Sequence, residues 1–282
     1  MPTNKQRRQA AQRHLQKQLE RRADLARKRR RNLGIIATVV AVAVVVVAAL
    51  VITGVFSGDD DTTDAASTSS VAAPTSSAAA ATTNADGTVA CTYSPDESGN
   101  PNLVDVGTPP TPEATPTQGT STLLMSTNQG DLTLTLDRAK APCAAASFAF
   151  LASQKFFDGS PCHREVNQPT FGVLQCGDPS GTGSGGPSYK FDQEIPEGTT
   201  YPRGTIAMAN TGQPGSTGSQ FFLCFVDTQL SPDYTPVGTV DEAGLAVLDT
   251  VAAAGNDGSF EAQAGGGAPN LPVTINTMTV VG

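Results

Sequence analysis

The stretch that most constrains the fold is RGTIAMANTGQPGSTGSQFFLCF, residues 203–225. It contains two β-type runs separated by a loop of Gly, Pro, Ser and Thr. The loop cannot bury a core, whereas the flanking runs can, because their apolar side chains are closely spaced. Asn210 and Gln220 place a side-chain amide at each end of the loop. Amides of this kind hydrogen-bond to peptide groups. The pattern therefore predicts paired strands that carry a peptide-binding loop.

An uncharged apolar segment, GIIATVVAVAVVVVAALVITGVF, spans residues 34–56. As an α-helix its 23 residues would reach about 35 Å, enough for a hydrocarbon core of about 30 Å. A cleaved secretory signal is the alternative, but its apolar region usually has only about 7–15 residues. The sequence therefore predicts a basic cytoplasmic head at 1–32 and a transmembrane helix at 33–56. Because basic residues precede the segment and Asp59–Asp61 follow it, the C-terminal part should lie outside the cytoplasm.

Charge divides the chain at the same place. The head carries 12 Lys or Arg and two acidic residues, which leaves 6 basic and 24 acidic residues downstream. A basic helix could lie on anionic lipid or touch RNA, or it could only orient the chain. No aromatic residue interleaves these charges, so base stacking has no support and no nucleic-acid partner is expected.

Residues 57–118 are dominated by small and polar residues. They have too few large apolar side chains to offset chain entropy, so we predict a disordered, low-complexity extracytoplasmic linker. The run CTYSP at 91–95 interrupts this composition and could be held against the domain. The folded domain is predicted for residues 119–282, which would be preceded by the transmembrane helix and this linker.

The domain has many short β-type runs and two helical patterns, APCAAASFAFLASQ and EAGLAVLDTVAAAG. In DLTLTLD, apolar and polar residues alternate, as in a half-buried strand. Many short strands with only two helices indicate a mainly β fold. We expect a closed antiparallel sheet capped by the helices, since closure removes exposed edges.

A second stretch, CHREVNQPTFGVLQCGD, spans residues 162–178. The ordered series CHR, LQCGD, GTGSGG, RGTIAMAN and GSQFF resembles the cyclophilin family of peptidyl-prolyl cis-trans isomerases over about residues 119–282. The resemblance implies a closed eight-stranded antiparallel barrel capped by two α-helices. It also implies rotation about X-Pro bonds without a covalent step and without a cofactor. No metal is expected, because the chain has no Cys-x-x-Cys pair and His163 is the only histidine of the domain.

Site residues follow from the resemblance, position by position. Arg164 matches the catalytic arginine, and Gln175 matches the glutamine that orients it and meets the substrate. For Val173, Phe222 and Leu230 the alternative is plain core packing. The full set of substrate-binding residues implied is Phe171, Val173, Gln175, Ala209, Asn210, Gln220, Phe222, Leu230 and Tyr234.

Several positions depart from the family pattern. Gly172 stands where the best-known members have a phenylalanine, with Phe171 one residue earlier and able to take its place. Tyr234 stands where the pocket histidine is found. Gln229 replaces the tryptophan of cyclosporin-sensitive relatives, so we expect weak cyclosporin binding. We also expect a monomer.

Five cysteines in an extracytoplasmic protein favour disulfides. If Cys162 and Cys176 lie on antiparallel neighbours, they are nearly opposite and can bridge. Cys91 and Cys143 would then tie the end of the linker to the first helix, and Cys224 would be a buried free thiol. This pairing is a hypothesis.

Other motif interpretations have little support. GTGSGG at 181–186 lacks the Gly-Lys-Ser/Thr of a phosphate-binding loop, so we predict an ordinary loop. A Ser-His-Asp hydrolase would need His163, and the chain has no Gly-x-Ser-x-Gly elbow. Two functions remain. One is an isomerase acting on X-Pro bonds of exported proteins, and the other is a proline-peptide-binding chaperone or scaffold with little or no turnover.

Overall fold

The computed structural model describes residues 83–282. The predicted basic head, the predicted transmembrane helix and the first part of the predicted linker lie outside these residues. Between residues 83 and 282, none of the helices has the length and apolar character needed to cross a bilayer.

The described chain contains fourteen strands, two α-helices and one short 3₁₀ helix at Pro112–Ala114. The α-helices are α1 (Pro142–Ser153) and α2 (Glu242–Ala254). The strands are β1 (Thr88–Val89), β2 (Ser94–Pro95), β3 (Leu103–Val104), β4 (Thr115–Pro116), β5 (Thr120–Thr127), β6 (Gly130–Asp137), β7 (Arg164–Gln168), β8 (Phe171–Cys176), β9 (Gly186–Pro187), β10 (Tyr189–Lys190), β11 (Thr205–Met208), β12 (Phe221–Cys224), β13 (Pro236–Val240) and β14 (Ile275–Val280).

Eight of these strands form one antiparallel sheet in the order β14, β5, β6, β13, β11, β12, β8, β7. Strand β6 shows how the sheet presents one face to the core. Leu132, Leu134 and Leu136 are buried and alternate with partly exposed threonines, as predicted, so one face packs inward. The mainly β fold with two helices is confirmed.

The predicted closure of the barrel is wrong, because the sheet is an open half-barrel. Its edge strands β14 and β7 do not pair with each other. The segment before β7 instead bonds to the start of β14 and to the residue two positions before it, where Gly159 N–H donates to the Ile275 carbonyl at 2.7 Å and Cys162 N–H donates to the Val273 carbonyl at 2.9 Å. The edge groups are therefore covered by single bonds rather than by a continuous ladder.

Both helices lie where the sequence patterns predict them. Helix α1 has proline at its start and no side-chain cap from its own first residues. The Glu194 carboxylate takes that role by accepting the N–H groups of Cys143 (2.9 Å) and Ala144 (2.8 Å). Helix α2 is capped by Asp241, which accepts the Gly244 N–H at 2.9 Å, and it stops at Gly255.

Residues 83–118, hereafter the extension, pack on the domain, although their composition predicts part of a disordered linker at 57–118. Strand β2 pairs with β10, and β3 pairs with β9. The disulfide Cys91–Cys143 fixes the extension to α1, and the Tyr93 hydroxyl donates to the Cys143 carbonyl at 2.8 Å. The extension has few apolar residues, and a disulfide and backbone hydrogen bonds hold it on the domain. Residue composition does not reveal such bonds.

The cysteine pairing is confirmed. Cys162 bonds to Cys176, Cys91 bonds to Cys143, and Cys224 is a buried free thiol. The Cys162–Cys176 bond joins the segment just before β7 to the end of β8, so it closes the hairpin that carries Arg164.

Candidate active site

Arg164 and Gln175 face each other across strands β7 and β8. The Arg164 Nη1 donates to Gln175 Oε1 at 2.8 Å, and Gln175 Nε2 donates to Gln220 Oε1 at 2.9 Å. The Gln220 Nε2 in turn donates to the carbonyls of Gly183 and Gly185, both at 3.0 Å. A chain of side-chain amides therefore links the guanidinium to the glycine-rich loop.

The other edge of the guanidinium is held by the segment before β14. Arg164 Nε donates to the Gly265 carbonyl at 2.9 Å, and Nη2 donates to the Ala264 carbonyl. Among the residues that the structure describes, three of its five N–H groups thus have partners. Burial lowers the pKa of Arg164 and Tyr234 opposes this, but a guanidinium stays protonated at neutral pH. A fixed cation with two free donors results.

The glycine-rich loop is organised by the buried Asp178. Its carboxylate accepts the N–H groups of Ser180 (2.8 Å), Gly183 (2.7 Å) and Gly185 (3.0 Å). Burial acts to raise the pKa of Asp178, yet these hydrogen bonds hold it below the ordinary value. The GTGSGG motif is an ordinary loop, as predicted, and its carbonyls anchor Gln220.

An apolar pocket of about 380 Å³ opens beside the guanidinium, within the size range of small-ligand sites. Phe222 is 5% exposed, and its ring meets the Tyr234 ring edge-on with centroids 5.4 Å apart. Nine of the ten predicted site residues line this pocket, and Gln220 lines the neighbouring one. The lining residues are Arg164, Phe171, Val173, Gln175, Ala209, Asn210, Phe222, Leu230, Tyr234 and Ala264.

Residues 122–280 match the family described as cyclophilin type peptidyl-prolyl cis-trans isomerase/CLD. The chain belongs to the cyclophilin family. A Mycobacterium leprae protein named probable peptidyl-prolyl cis-trans isomerase B is 50% identical over 304 aligned residues, which cover 99% of each chain. A protein of the same name from Mycobacterium tuberculosis is 42% identical over 206 residues, 68% of this chain and 63% of that protein.

A solved cyclophilin type peptidyl-prolyl cis-trans isomerase from Cryptosporidium parvum superposes with a TM-score of 0.51 at 27% identity. The superposition covers 58% of this chain and 99% of that chain. Family, relatives and fold agree, so this cyclophilin is a peptidyl-prolyl cis-trans isomerase.

Two features of the pocket were missed in the sequence. The Tyr201 hydroxyl donates to the Tyr234 carbonyl at 2.8 Å and accepts the Tyr234 N–H at 3.0 Å, so Tyr201 positions Tyr234. Tyr201 is only 2% exposed, although it stands in a polar, proline-containing stretch that gives no apolar pattern. Ala264 lies about a hundred residues from Arg164 within a glycine-rich run, and no local signal marks it.

A polar pocket of about 360 Å³ continues from the apolar one, with which it shares Gln175, Ala209 and Asn210. Asn210 is fixed at this junction because its Nδ2 donates to the Asp233 carbonyl at 2.8 Å. The glycine-rich loop and Gln220 form further walls, and Asp96 and Leu103 of the extension form another. A groove with one apolar and one polar end therefore crosses the surface of this cyclophilin.

No group of His, Cys, Asp and Glu within residues 83–282 has the arrangement needed to hold a metal ion. The chemistry available at this site is hydrogen bonding from a fixed cation beside an apolar slot.

Proposed function

We propose that Arg164 catalyses the isomerisation by donating a hydrogen bond to the prolyl nitrogen. Rotation about a peptide bond costs about 18–20 kcal/mol because the twisted form loses amide resonance. As resonance is lost, the nitrogen regains a lone pair, which a guanidinium N–H can stabilise. The observation that carries the proposal is that Arg164 lines the same pocket as Phe222 and that two of its N–H groups have no partner among residues 83–282.

The apolar pocket suits a pyrrolidine ring. Phe222 and Val173 present buried apolar surface, and Leu230 and Tyr234 close the sides. Burial of the ring would fix one side of the rotating bond. The amides of Gln175 and Asn210 would hold the flanking backbone, so that only the twist itself remains free. In this proposal neither bond cleavage nor a cofactor takes part.

We further propose that the enzyme acts outside the cytoplasm on exported proteins, anchored by the apolar segment at 34–56. The length of that segment and the basic residues before it support this placement. Two disulfides in the domain also support an oxidising compartment. Protease treatment of intact cells and of spheroplasts tests the topology. The domain should be digested once the outer layers are removed, and protection until lysis would contradict it.

Turnover of X-Pro peptides by the full-length chain in detergent tests the catalytic role. Arg164→Ala should lower kcat/KM by about a hundredfold or more, as removal of a transition-state donor does in other enzymes. Arg138→Ala is the matched control, because Arg138 bonds to Ser121 and lies outside the pocket. Equal rates for wild type and Arg164→Ala would remove the catalytic proposal. If neither protein exceeded the uncatalysed rate, the result would favour a proline-peptide-binding chaperone that uses the same pocket.

A further inference from the structure

The extension supplies one wall of the polar pocket. Asp96 follows β2 and Leu103 lies in β3, and both line the pocket together with the glycine-rich loop and Gln220. The remaining walls come from the domain itself. The pocket is therefore complete only when the extension is docked.

The extension is held as a fixed wall. Asp96 N–H donates to the Ser188 carbonyl at 2.8 Å, and Asn100 Nδ2 donates to the Ser184 carbonyl at 2.6 Å. The Ser188 N–H donates to the Val104 carbonyl at 3.1 Å. Each of these bonds joins the extension to the segment 184–190, which forms the adjacent wall of the same pocket.

Two opposite charges line the pocket, Asp96 from the extension and Lys190 from β10. A hydrogen bond from Ser98 lowers the pKa of Asp96, and Lys190 lowers it further. The carboxylate is therefore ionised at neutral pH, and the two charges balance. Removal of either one would leave a net charge facing the groove.

We propose that Asp96 and Leu103 of the extension determine substrate preference, because the polar pocket receives the side chain of a residue within two positions of the substrate proline. This inference rests on the proposed seating of proline in the apolar pocket. The two pockets share Gln175, Ala209 and Asn210, so they adjoin each other. Two residues of an extended peptide span about 7 Å, so residues next to a bound proline can reach the polar pocket.

The test uses the full-length chain and short peptides with Ala, Glu or Lys placed two before, one before or one after proline. Isomerisation is measured by NMR exchange, and the readout is the Glu:Lys ratio of kcat/KM. Asp96→Asn should raise this ratio about two- to fivefold at one of these positions, and Lys190→Gln should lower it by a similar factor. Glu97→Gln is the control, because Glu97 is an exposed neighbour that does not line the pocket.

Opposite shifts for Asp96→Asn and Lys190→Gln, with no shift for Glu97→Gln, support the proposal. An unchanged ratio at all positions, or an equal shift for Glu97→Gln, would overturn it. Leu103→Ala tests the same subsite without a change of charge. It should lower the preference of the enzyme for peptides with a large side chain at the same position. The dissociation constants of the Glu and Lys peptides, measured on Arg164→Ala by calorimetry, should show the same ratios. If Arg164 is not catalytic but the subsite exists, the binding ratios still show the preference. If the subsite does not exist, the binding ratios show none.

Discussion

The two pockets of the groove are built in different ways. The apolar pocket uses side chains that also pack the sheet, with Phe222 5% exposed and Val173 1% exposed. The polar pocket uses the backbone of the glycine-rich loop, the buried Tyr189 and two partly exposed side chains of the extension, Asp96 and Leu103. A change in the first pocket alters packing as well as chemistry, whereas a change at Asp96 or Leu103 leaves the core intact. The residues proposed for isomerisation thus belong to the sheet, whereas residues that discriminate between substrates can belong to the extension.

The largest expected difference between the pockets is in stability. Phe222→Ala should lower the free energy of unfolding by about 3–5 kcal/mol, because it leaves a cavity in a buried cluster. Leu103→Ala should cost about 1 kcal/mol or less, since Leu103 is only partly buried. Urea denaturation measures both. Equal losses would erase the contrast between a structural pocket and an appended one.

One of the two disulfides holds the extension, and the other closes a hairpin of the sheet. Removal of Cys91–Cys143 by serine substitution should cost about 4 kcal/mol and that of Cys162–Cys176 about 3 kcal/mol, since the sequence separations are 52 and 14 residues. Loss of the first should release the extension and abolish the Glu:Lys discrimination, while turnover of alanine peptides stays within twofold.

Loss of the second should slow all peptides alike, because Cys162–Cys176 closes the hairpin that pairs Arg164 with Gln175. Activity assays on the two double variants give the comparison. A general loss of turnover in the Cys91→Ser, Cys143→Ser variant would show that the polar pocket is not separable from catalysis.

A change of pH should alter the free energy of unfolding through buried carboxyl groups but should leave the charge of Asp96 in the polar pocket unchanged. Glu165 is fully buried next to Arg164, and within residues 83–282 neither of its carboxylate oxygens has a hydrogen-bond partner. Burial raises the pKa of Glu165 to about 7, so the folded state holds a proton that the unfolded state releases near pH 4.5. The free energy of unfolding should therefore fall by up to about 3 kcal/mol as pH rises from about 4.5 to about 7.

Glu165→Gln should flatten part of this slope in urea denaturation at several pH values. Burial also raises the pKa of Glu194 to about 7, so adding Glu194→Gln should flatten the slope further. Burial lowers the pKa of His163, which makes the free energy of unfolding rise with pH, so a slope of this opposite sign should remain in the double variant. An unchanged slope in Glu165→Gln would show that the carboxyl is solvated. Asp96 remains ionised over this range, so the Glu:Lys preference should not change between about pH 6 and pH 7, where the glutamate of the peptide is ionised as well.

The smallest expected effect concerns cyclosporin. Gln229 is exposed at the rim beside Leu230, where it adds no aromatic surface. Gln229→Trp should increase the affinity for cyclosporin by about tenfold, because an indole adds apolar area and one N–H donor. Calorimetry on both proteins measures this. Low-nanomolar binding by the wild type would contradict the alignment on which the prediction rests.

The sequence predicts the apolar pocket well because its residues stand in compact, ordered motifs. Arg164 and Gln175 are separated by one hairpin, and Asn210 and Gln220 by one loop. Strands that are neighbours in sequence pair with each other, and this local pairing brings such residues together. Phe222 follows for the same reason, since strand β12 pairs with both β8 and β11.

The polar pocket was not predicted, because its far wall comes from residues whose composition indicates a linker. Asp96 and Leu103 have no periodic pattern, and their position depends on a disulfide and on backbone pairing with β9 and β10. The open edge of the half-barrel was missed for a related reason. Single hydrogen bonds at the edge strands leave no signature in residue type.

A crystal structure of the protein with a short Ala-Pro-containing peptide would show whether Arg164 reaches the prolyl nitrogen. We predict the pyrrolidine ring on Phe222 and an Arg164 Nη atom within about 3.2 Å of that nitrogen. A proline ring bound elsewhere would contradict it. So would a guanidinium that bonds only to Gln175 and to the carbonyls of Ala264 and Gly265, at a distance from the bound peptide.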